Sequence, residues 1–369
     1  MSLSLFGLDR QNTALSGELR EAFASVLSSG AFVLGQHVAS FERAVAKLVG
    51  VKHAVGLSSG TDALICALHA LGCGPGSEVI APAFSFFATA EAVRRVGATL
   101  RLADVQPATL GLDPAAVRRA LSPRTRAVLP VHLYGAPVAL DELSELAREA
   151  GVALVEDAAQ AFGARFAGRA VGSWGTAACF SFFPTKPLGG FGDGGMLVTD
   201  DGALADRVRR LRVHGASDKH HHVELGGNYR LDALQAALLS VKLPRVEAWR
   251  QARAEHVAHY REGLAGLEGI RLLEVPERAE SAHALFTVRV SGAGRRDALA
   301  QALAARGIAT GVYYPKPLHL QPALGADFAA GQFPEAERAS EEVLSLPLFA
   351  DMTRAEVSAV IDAVRGECA

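Results

Sequence analysis

The segment "RAVLPVHLYGAPVALDELSELAREAGVALVEDA", residues 126–158, decides the fold. Its two ends, 126–133 and 152–158, are apolar runs that indicate buried strands. Between them, residues 139–150 repeat apolar side chains at helical spacing and predict an amphipathic helix. A strand, a crossover helix and a second strand form the unit from which parallel sheets are built. This segment therefore predicts an α/β protein.

The same alternation extends along most of the first 200 residues. Fully apolar strands that alternate with amphipathic helices are typical of a parallel sheet covered by helices on both faces. Further strands are predicted at 54–59, 78–83, 99–105, 177–182 and 194–200. Further helices are predicted at 61–71, 88–96 and 113–121.

The pattern changes near residue 231, where a long helical stretch runs across Pro244 to about residue 265. After it, strand-like and helix-like segments alternate again in a βαβ-like order and indicate a second, smaller domain. Those segments are 284–290, 296–307, 309–314 and 354–364. The sequence therefore predicts a large domain over residues 1–245 and a smaller C-terminal α/β domain over residues 246–369.

Composition excludes several classes of function. The chain has 369 residues, half of them hydrophobic, and a formal net charge of −2. This balance argues against a nucleic-acid or membrane-surface binder, which would carry a basic face. No signal peptide or membrane-spanning stretch is evident, so a cytoplasmic protein is expected. The four cysteines form no CxxC pair, and no metal site is predicted.

Polar residues follow several of the predicted strands. Ligands of open parallel sheets bind outside the carboxyl ends of the strands. Asp157 and Ser181 stand at two such ends, and residues 59–61, "SGT", open a predicted helix after a third. A helix N-terminus attracts anions, so this triplet is either a phosphate cradle or an ordinary turn and cap.

One lysine stands in an unusual setting. Lys186 lies in "CFSFFPTKPLGGFGDGG", residues 179–195, with no acidic residue within six positions. Burial among aromatic side chains would lower its pKa and make it a nucleophile able to form a Schiff base. The alternative is a lysine extended from a loop into solvent, but the flanking glycines favour close approach to a ligand. Asp157 would then be the carboxylate that holds a pyridinium nitrogen, with Glu156 the less favoured partner.

Eight segments of the chain, in order, resemble the DegT/DnrJ/EryC1/StrS family of sugar aminotransferases, which depend on pyridoxal 5′-phosphate (PLP). The resemblance covers nearly the whole chain and implies the fold-type I aminotransferase architecture. The segments are "SSGTDAL" (58–64), "VIAPAFSFFATAEAV" (79–93), "PVHLYG" (130–135), "VEDAAQAFGA" (155–164), "CFSFFPTKPLGGFGDGGMLVT" (179–199), "GGNYRLDALQAA" (226–237), "YYPKPLHLQPA" (313–323) and "LSLPLF" (344–349).

The resemblance implies a role for each matching residue. Lys186 would bind PLP covalently, Asp157 would hold the pyridine nitrogen, and Gln160 would lie on the side of the ring hydroxyl. Phe86 would stack on the pyridine ring. The phosphate would be held by Gly60, Thr61 and Ser181.

Asn228 matches an asparagine that reaches the phosphate from a neighbouring subunit. The resemblance thus implies a homodimer with shared active sites, whereas the residues alone allow Asn228 to cap the helix that follows it. Two positions depart from the family's pattern. Gly227 replaces the usual tyrosine before Asn228, and Pro187 replaces the usual asparagine after Lys186.

The resemblance also implies the substrates: a nucleotide-linked keto sugar and an amino-acid donor, with glutamate expected. Asp193 and residues 219–228 are more similar to members that aminate 3-keto sugars; a 4-keto sugar or a cyclitol is the alternative. Tyr314 and His319 are candidate substrate contacts. His221, in the run 220–222, is either another such contact or part of a solvated loop.

Three other classes of protein are alternatives to a sugar aminotransferase. A dehydratase of the same family would carry histidine in place of Lys186. A nicotinamide oxidoreductase would need a GxGxxG turn between a strand and a helix, which this sequence lacks. A non-catalytic regulatory protein that keeps the fold is the third, and a transamination assay would separate it from an enzyme.

Overall fold

The computed structural model describes residues 2–368 of the chain. The strands in this range are β1 (His53–Leu57), β2 (Glu78–Pro82), β3 (Thr99–Ala103), β4 (Thr125–Val128), β5 (Ala153–Asp157), β6 (Arg165–Phe166), β7 (Arg169–Ala170), β8 (Ala177–Ser181), β9 (Gly195–Thr199), β10 (Ile270–Leu272), β11 (Ala279–Glu280), β12 (Phe286–Val290) and β13 (Val343–Leu346).

The α-helices of the same range surround these strands. They are α1 (Leu8–Ala14), α2 (Ser16–Ser29), α3 (Gly35–Val49), α4 (Gly60–Ala70), α5 (Phe87–Arg95), α6 (Pro114–Ala120), α7 (Leu140–Ala150), α8 (Gly202–Leu211), α9 (Ala233–Lys242), α10 (Val246–Leu264), α11 (Arg295–Ala305), α12 (Pro334–Glu342) and α13 (Arg354–Cys368). No helix of residues 2–368 is both long and apolar enough to cross a membrane.

A seven-stranded sheet forms the centre of the molecule, in the order β1-β9-β8-β5-β4-β2-β3. The five strands from β8 to β3 run parallel, and β9 runs antiparallel to both of its neighbours. Neighbouring residues of one strand, such as Val79 and Ile80, enter separate apolar cores on the two faces. Because both faces are buried, the strands read as continuous apolar runs. The predicted α/β class and mostly parallel sheet are confirmed.

The strand predicted at 126–133 is shorter in the structure, where β4 ends at Val128. Pro130 has no N–H to donate, so it cannot continue a regular central strand. The chain beyond it keeps only an isolated bridge between Val131 and Asp157, and then turns through a 3-10 helix at Leu133–Gly135. This path brings Tyr134 beside the end of β5.

The C-terminal part differs from the βαβ-like order expected from the sequence. Its sheet is β10-β12-β13, and all its pairings are antiparallel. The strand expected at 309–314 is wrong: only Gly311 pairs there, with Ser345. The next residues, Tyr313 and Tyr314, leave the sheet edge and line the main cavity instead.

The predicted domain boundary coincides with a break between two helices. Helix α9 ends at Lys242, a 3-10 turn at Leu243–Arg245 contains Pro244, and α10 begins at Val246. Strand β11, however, pairs with β6, so a piece of the C-terminal half completes a small sheet of the N-terminal half. The division at residue 245 therefore stays a prediction.

The last two residues of β5, Glu156 and Asp157, place their carboxylates on opposite faces of the sheet. Glu156 is fully buried, and its Oε2 lies 3.1 Å from Nε2 of His132. Nδ1 of His132 accepts a bond from the N–H of Val138, so Nε2 carries the proton and donates to Glu156. Three backbone N–H groups also donate to this carboxylate, those of Gly172, Trp174 and Gly175, at 2.8–3.0 Å. Glu156 therefore anchors a loop on one face of the sheet, and Asp157 is left to face the other side.

We expect Glu156→Gln to lower the free energy of unfolding by at least about 2 kcal/mol, because an amide NH₂ would face buried N–H donors. Urea unfolding would measure the loss. Asp157→Asn makes the same acid-to-amide change one residue away and is the matched control. A loss below about 0.5 kcal/mol for Glu156→Gln would contradict the anchoring role.

Candidate active site

A cavity of about 510 Å³ opens at the carboxyl ends of the central strands. This volume lies within the roughly 300–1,000 Å³ of small-molecule sites. Eight of the residues predicted from the sequence line it: Gly60, Thr61, Phe86, Asp157, Gln160, Ser181, Lys186 and Tyr314. The structure thus brings together segments that are up to 254 positions apart along the chain.

Lys186 and Asp157 are the charged pair of this cavity. Burial lowers the pKa of Lys186 below its ordinary value, and the charge of Asp157 partly opposes that shift. A lowered pKa increases the fraction of neutral amine near neutral pH. Lys186 is therefore available as a nucleophile and as a base.

The carboxylate of Asp157 is held in a fixed position. Its Oδ2 accepts a hydrogen bond from the Thr89 hydroxyl at 2.8 Å, and its Oδ1 accepts the N–H of Ala159 at 3.2 Å. Burial raises the pKa of Asp157, while these two bonds and Lys186 oppose the shift. A cationic ligand atom beside this buried carboxylate would be stabilised by it. Sequence analysis missed Thr89, because a threonine inside a helical stretch carries no signal of its own.

The start of α4 forms the anion-binding end of the cavity. The Ser59 side chain caps the helix by accepting the N–H of Asp62. The N–H groups of Gly60 and Thr61 find no acceptor within residues 2–368, and they lie at the positive end of the helix dipole. Gly60 is required by close approach, since a Cβ there would lie 2.8 Å from Cβ of Ser181. A phosphate can therefore be bound by free N–H groups and the hydroxyls of Thr61 and Ser181.

An exposed aromatic ring and an ordered amide complete the cavity. Phe86 is 55% exposed although it lies in a buried segment, and its ring centroid is 5.7 Å from that of Tyr314. Gln160 accepts the N–H of Tyr134 at 2.6 Å and donates to the hydroxyl of Tyr314 at 3.1 Å. Gln160 therefore fixes the tyrosine that closes this side of the cavity.

Three predicted site residues lie outside this cavity. His319 is buried, with Nε2 2.8 Å from Glu337 and its ring against Phe333. His221 is exposed on a loop and bonds Asp218. Asn228 is exposed before α9, whose N-cap is Asp232, so Asn228 does not occupy the cap position.

The cavity has further lining residues to which the sequence analysis assigned no cofactor contact. Phe6 reaches the cavity from the N-terminal segment, and Phe183 and Thr185 flank Lys186 in the same loop. Asp193 also lines the cavity, at the position from which the type of sugar was predicted. Phe6 in particular precedes every recognised segment, and only the packing of α1 brings it here.

The donor set fits PLP. The amine of Lys186, with its lowered pKa, suits the aldehyde of PLP, the buried carboxylate of Asp157 suits the pyridine nitrogen, and the free N–H groups of α4 suit the phosphate. The exposed face of Phe86 suits a planar ring. Together, the sheet order and this site define an aminotransferase of fold type I.

Comparison with known proteins gives the family. The chain belongs to the DegT/DnrJ/EryC1/StrS aminotransferase family, whose model matches residues 14–365. It is 46% identical over 352 residues to a dTDP-3-amino-3,4,6-trideoxy-alpha-D-glucose transaminase of Streptomyces venezuelae, over 95% of this chain and 92% of that protein. It is also 42% identical over 365 residues to a pleiotropic regulatory protein of Geobacillus stearothermophilus, over 99% of this chain and 98% of that protein.

Solved structures support the same assignment. The crystal structure of DesV from S. venezuelae has a TM-score of 0.96 and 44% identity, over 99% of this chain and 98% of that one. Structures of similar chains include forms with PLP and with its amine form, pyridoxamine phosphate. The predicted family and the aminotransferase activity are confirmed.

We expect Asp157→Asn to move the reactivity of Lys186 to lower pH in cofactor-free protein. The Asp157 charge raises the pKa of Lys186, so its removal lowers that pKa and leaves more neutral amine at a given pH. Reductive methylation at a series of pH values, followed by peptide mass spectrometry, would measure the shift. Lys219 serves as the internal control for the reagent. A shift to higher pH would show that Asp157 does not act on Lys186 as a negative charge.

Proposed function

We propose that this protein transfers an amino group from an amino acid, with glutamate favoured, to a nucleotide-linked 3-keto sugar, using PLP. The observation that carries the proposal is the pair formed by Lys186, with its lowered pKa, and the buried Asp157 in one cavity. A lysine whose pKa is lowered by burial, beside a fixed carboxylate, suits covalent amine chemistry.

Each part of the cofactor has a binding group in the cavity. Lys186 Nζ would bind the aldehyde carbon, Asp157 would hold the pyridine nitrogen, and Gln160 would be available to the ring hydroxyl. Phe86 covers one face of the ring. The phosphate is held by the start of α4 through Gly60 and Thr61, and by the Ser181 hydroxyl.

The chemistry divides between cofactor and protein. PLP, when bound, supplies an electron sink that makes the Cα proton of the amino acid acidic. Lys186 Nζ would accept that proton, because burial lowers its pKa and so favours the neutral amine. Asp157 keeps a positive charge on the pyridine nitrogen favourable, since its carboxylate is buried and cannot be screened by water.

The choice of a 3-keto sugar rests on one residue and one relative. Asp193 lines the cavity, and members that act at C4 more often carry glutamate at the matching position. The Streptomyces venezuelae relative is named for a dTDP-3-amino sugar. A 4-keto sugar or a cyclitol, and a UDP rather than a dTDP carrier, are alternatives that a substrate panel separates. Tyr314 is the proposed sugar contact within the chain's own cavity.

Exposed apolar side chains support a homodimer. Phe23 and Leu27 lie one turn apart on α2, and the apolar residues Phe32 and Val33 follow; all four are largely exposed. Leu225, before α9, is 89% exposed. Val33 pairs with Asp232, so the exposed residues 32 and 33 lie at the start of α9, the helix that Leu225 precedes in the chain. A second copy of the chain would remove this apolar surface from water.

The position of Asn228 on this exposed surface supports an active site shared between two subunits. Asn228 is exposed beside Leu225 and lies outside the cavity of its own chain. The family resemblance assigns its contact to the phosphate bound by the partner. His221 is on the same exposed segment, so a sugar contact by His221 would also be made in the partner's site.

A regulatory protein is the second candidate function, because one relative is named a pleiotropic regulatory protein. The intact set of Lys186, Asp157 and Gln160 favours an enzyme. Turnover decides between the two, since a binding protein without activity would bind PLP and transfer no amino group.

We expect the purified enzyme to aminate dTDP- or UDP-linked 3-keto sugars with L-glutamate faster than the matching 4-keto sugars. Product mass and 2-oxoglutarate release would be measured for each member of the panel. Lys186→Ala is the control and should lower the rate by more than about 10³-fold, because it removes the nucleophile and the base. Faster amination of a 4-keto sugar would overturn the 3-keto assignment, and no turnover with any member would favour the regulatory candidate.

We expect a mixture of Lys186→Ala and Asn228→Ala subunits to be more active than either parent alone. If Asn228 acts across the dimer, a mixed dimer has one site with both residues intact. Free exchange of equal amounts would then restore about one quarter of the wild-type sites. Native mass spectrometry would verify the exchange. Exchange without any recovery would show that Asn228 does not act on the partner's site.

A further inference from the structure

Arg253, on helix α10, is a buried guanidinium with an unsatisfied donor. Its side chain is 6% exposed. Its Nε donates to the carbonyl of Ala282 at 3.1 Å, but the buried Nη2 has no hydrogen-bond partner, and Arg253 pairs with no carboxylate of residues 2–368. Burial and the nearby Arg250 lower its pKa to about 10, so it still carries its charge at neutral pH.

A small recess joins this arginine to the catalytic lysine. The recess measures about 40 Å³ and is lined by Arg253, Lys186, Thr185, Ala284 and Gln11, among others. It shares Phe6, Thr185 and Lys186 with the main cavity. A recess of this size can accept a small polar group such as a carboxylate.

An unpaired charge in such a place is costly. A buried guanidinium needs several acceptors, and an unsatisfied buried donor costs stability. Arg250, on the same helix, bonds Glu247 in the usual way. Asp351 also lines the recess, and its charge partly opposes the lowering of the Arg253 pKa, but it is exposed and forms no ion pair with Arg253. The arginine therefore lacks an anion that the described residues do not provide.

We propose that Arg253 binds the α-carboxylate of the amino-acid donor. An amino acid that presents its amino group at Lys186 places its α-carboxylate one carbon away, next to this recess. Lys186 is the one Lys or Arg side chain among the described residues that line the main cavity, so Arg253 is the neighbouring cation available for that carboxylate. Arginine also suits the α-carboxylate, because its planar guanidinium can donate hydrogen bonds to both carboxylate oxygens. The proposal rests on the proposed transamination from an amino acid.

Binding without turnover tests this role. In PLP-loaded protein, 2-oxoglutarate has an α- and a γ-carboxylate, whereas 4-aminobutyrate has only the carboxylate that corresponds to the γ position. A loss of affinity on calorimetric titration that is confined to 2-oxoglutarate therefore reports on the α-carboxylate. We expect Arg253→Met to weaken 2-oxoglutarate binding about 10- to 100-fold, the range of a hydrogen bond to a charged group. We expect 4-aminobutyrate binding to change less than about threefold. Arg250→Met is the matched control and should change neither affinity.

Kinetics give a second measurement. Arg253→Met should raise the KM for L-glutamate while the KM of an accepted keto sugar stays within about twofold, because the sugar has no α-carboxylate. Arg253→Lys keeps the positive charge but lacks the planar guanidinium, so its KM for L-glutamate should lie between those of Arg253→Met and the wild type. Equal losses for 2-oxoglutarate and 4-aminobutyrate, or no loss for either, would overturn the proposal.

Ala284→Leu tests the recess without altering the arginine, in case Arg253→Met does not fold. Ala284 lines the same recess as Arg253, and the larger side chain would fill part of it, so 2-oxoglutarate binding should weaken as for Arg253→Met. Unchanged 2-oxoglutarate affinity in folded Ala284→Leu protein would also overturn the proposal. Wild-type protein that binds 2-oxoglutarate through Arg253 but aminates no sugar would contradict the proposed substrate and leave this assignment intact.

Discussion

The burial of Lys186 and Asp157 in one cavity is the constraint on which the rest of this structure depends. Two opposite charges taken out of water each lose hydration, and their mutual attraction offsets only part of that loss. Burial thus lowers the pKa of the lysine and raises that of the aspartate. The rest of the fold therefore offsets the free-energy cost of burying this pair. A bound ligand with complementary charge would reduce that cost.

Neighbouring elements hold both members of this pair in place. Thr89 donates a hydrogen bond to Asp157 on one face of the sheet. On the other face, the neighbouring Glu156 bonds the loop at Gly172 and so holds the end of β5 in place. The loop of Lys186 is fixed by helix α9. Lys242 donates to the carbonyl of Gly189 at 3.0 Å, and Gln235 accepts the N–H of Phe191 at 2.9 Å. A loop rich in glycine is therefore ordered by side chains from a helix that follows it by more than forty residues.

The cavity and the recess beside it each offer donors that can bind an anion. The start of α4 offers free N–H groups to a phosphate, whereas the recess at Arg253 offers a guanidinium to a carboxylate. Neither group has an anion of its own within residues 2–368. A site that leaves helix N–H donors and a guanidinium without anionic partners near one lysine is suited to a phosphorylated cofactor and an amino acid together.

The sequence by itself determined the parallel α/β sheet, because two-sided burial leaves a continuous apolar pattern in each strand. It also determined where chemistry could occur, since Asp157, Ser181 and the start of α4 all follow strands whose ends meet at one edge. The setting of Lys186 predicted a functional lysine. Family resemblance then supplied the roles of Phe86 and Gln160, which no local pattern indicates.

Tertiary structure decided the contacts between distant residues. Thr89 meets Asp157 across 68 positions, and Phe6 enters the cavity only because the N-terminal segment packs over it. His319 has the composition of a ligand contact but bonds Glu337, and Arg253 resembles any surface arginine until its burial is seen. Periodicity reports only which face of an element is buried. It carries no information about which distant side chain that face meets, and this partner alone decides whether a polar group is satisfied or left free to bind a ligand.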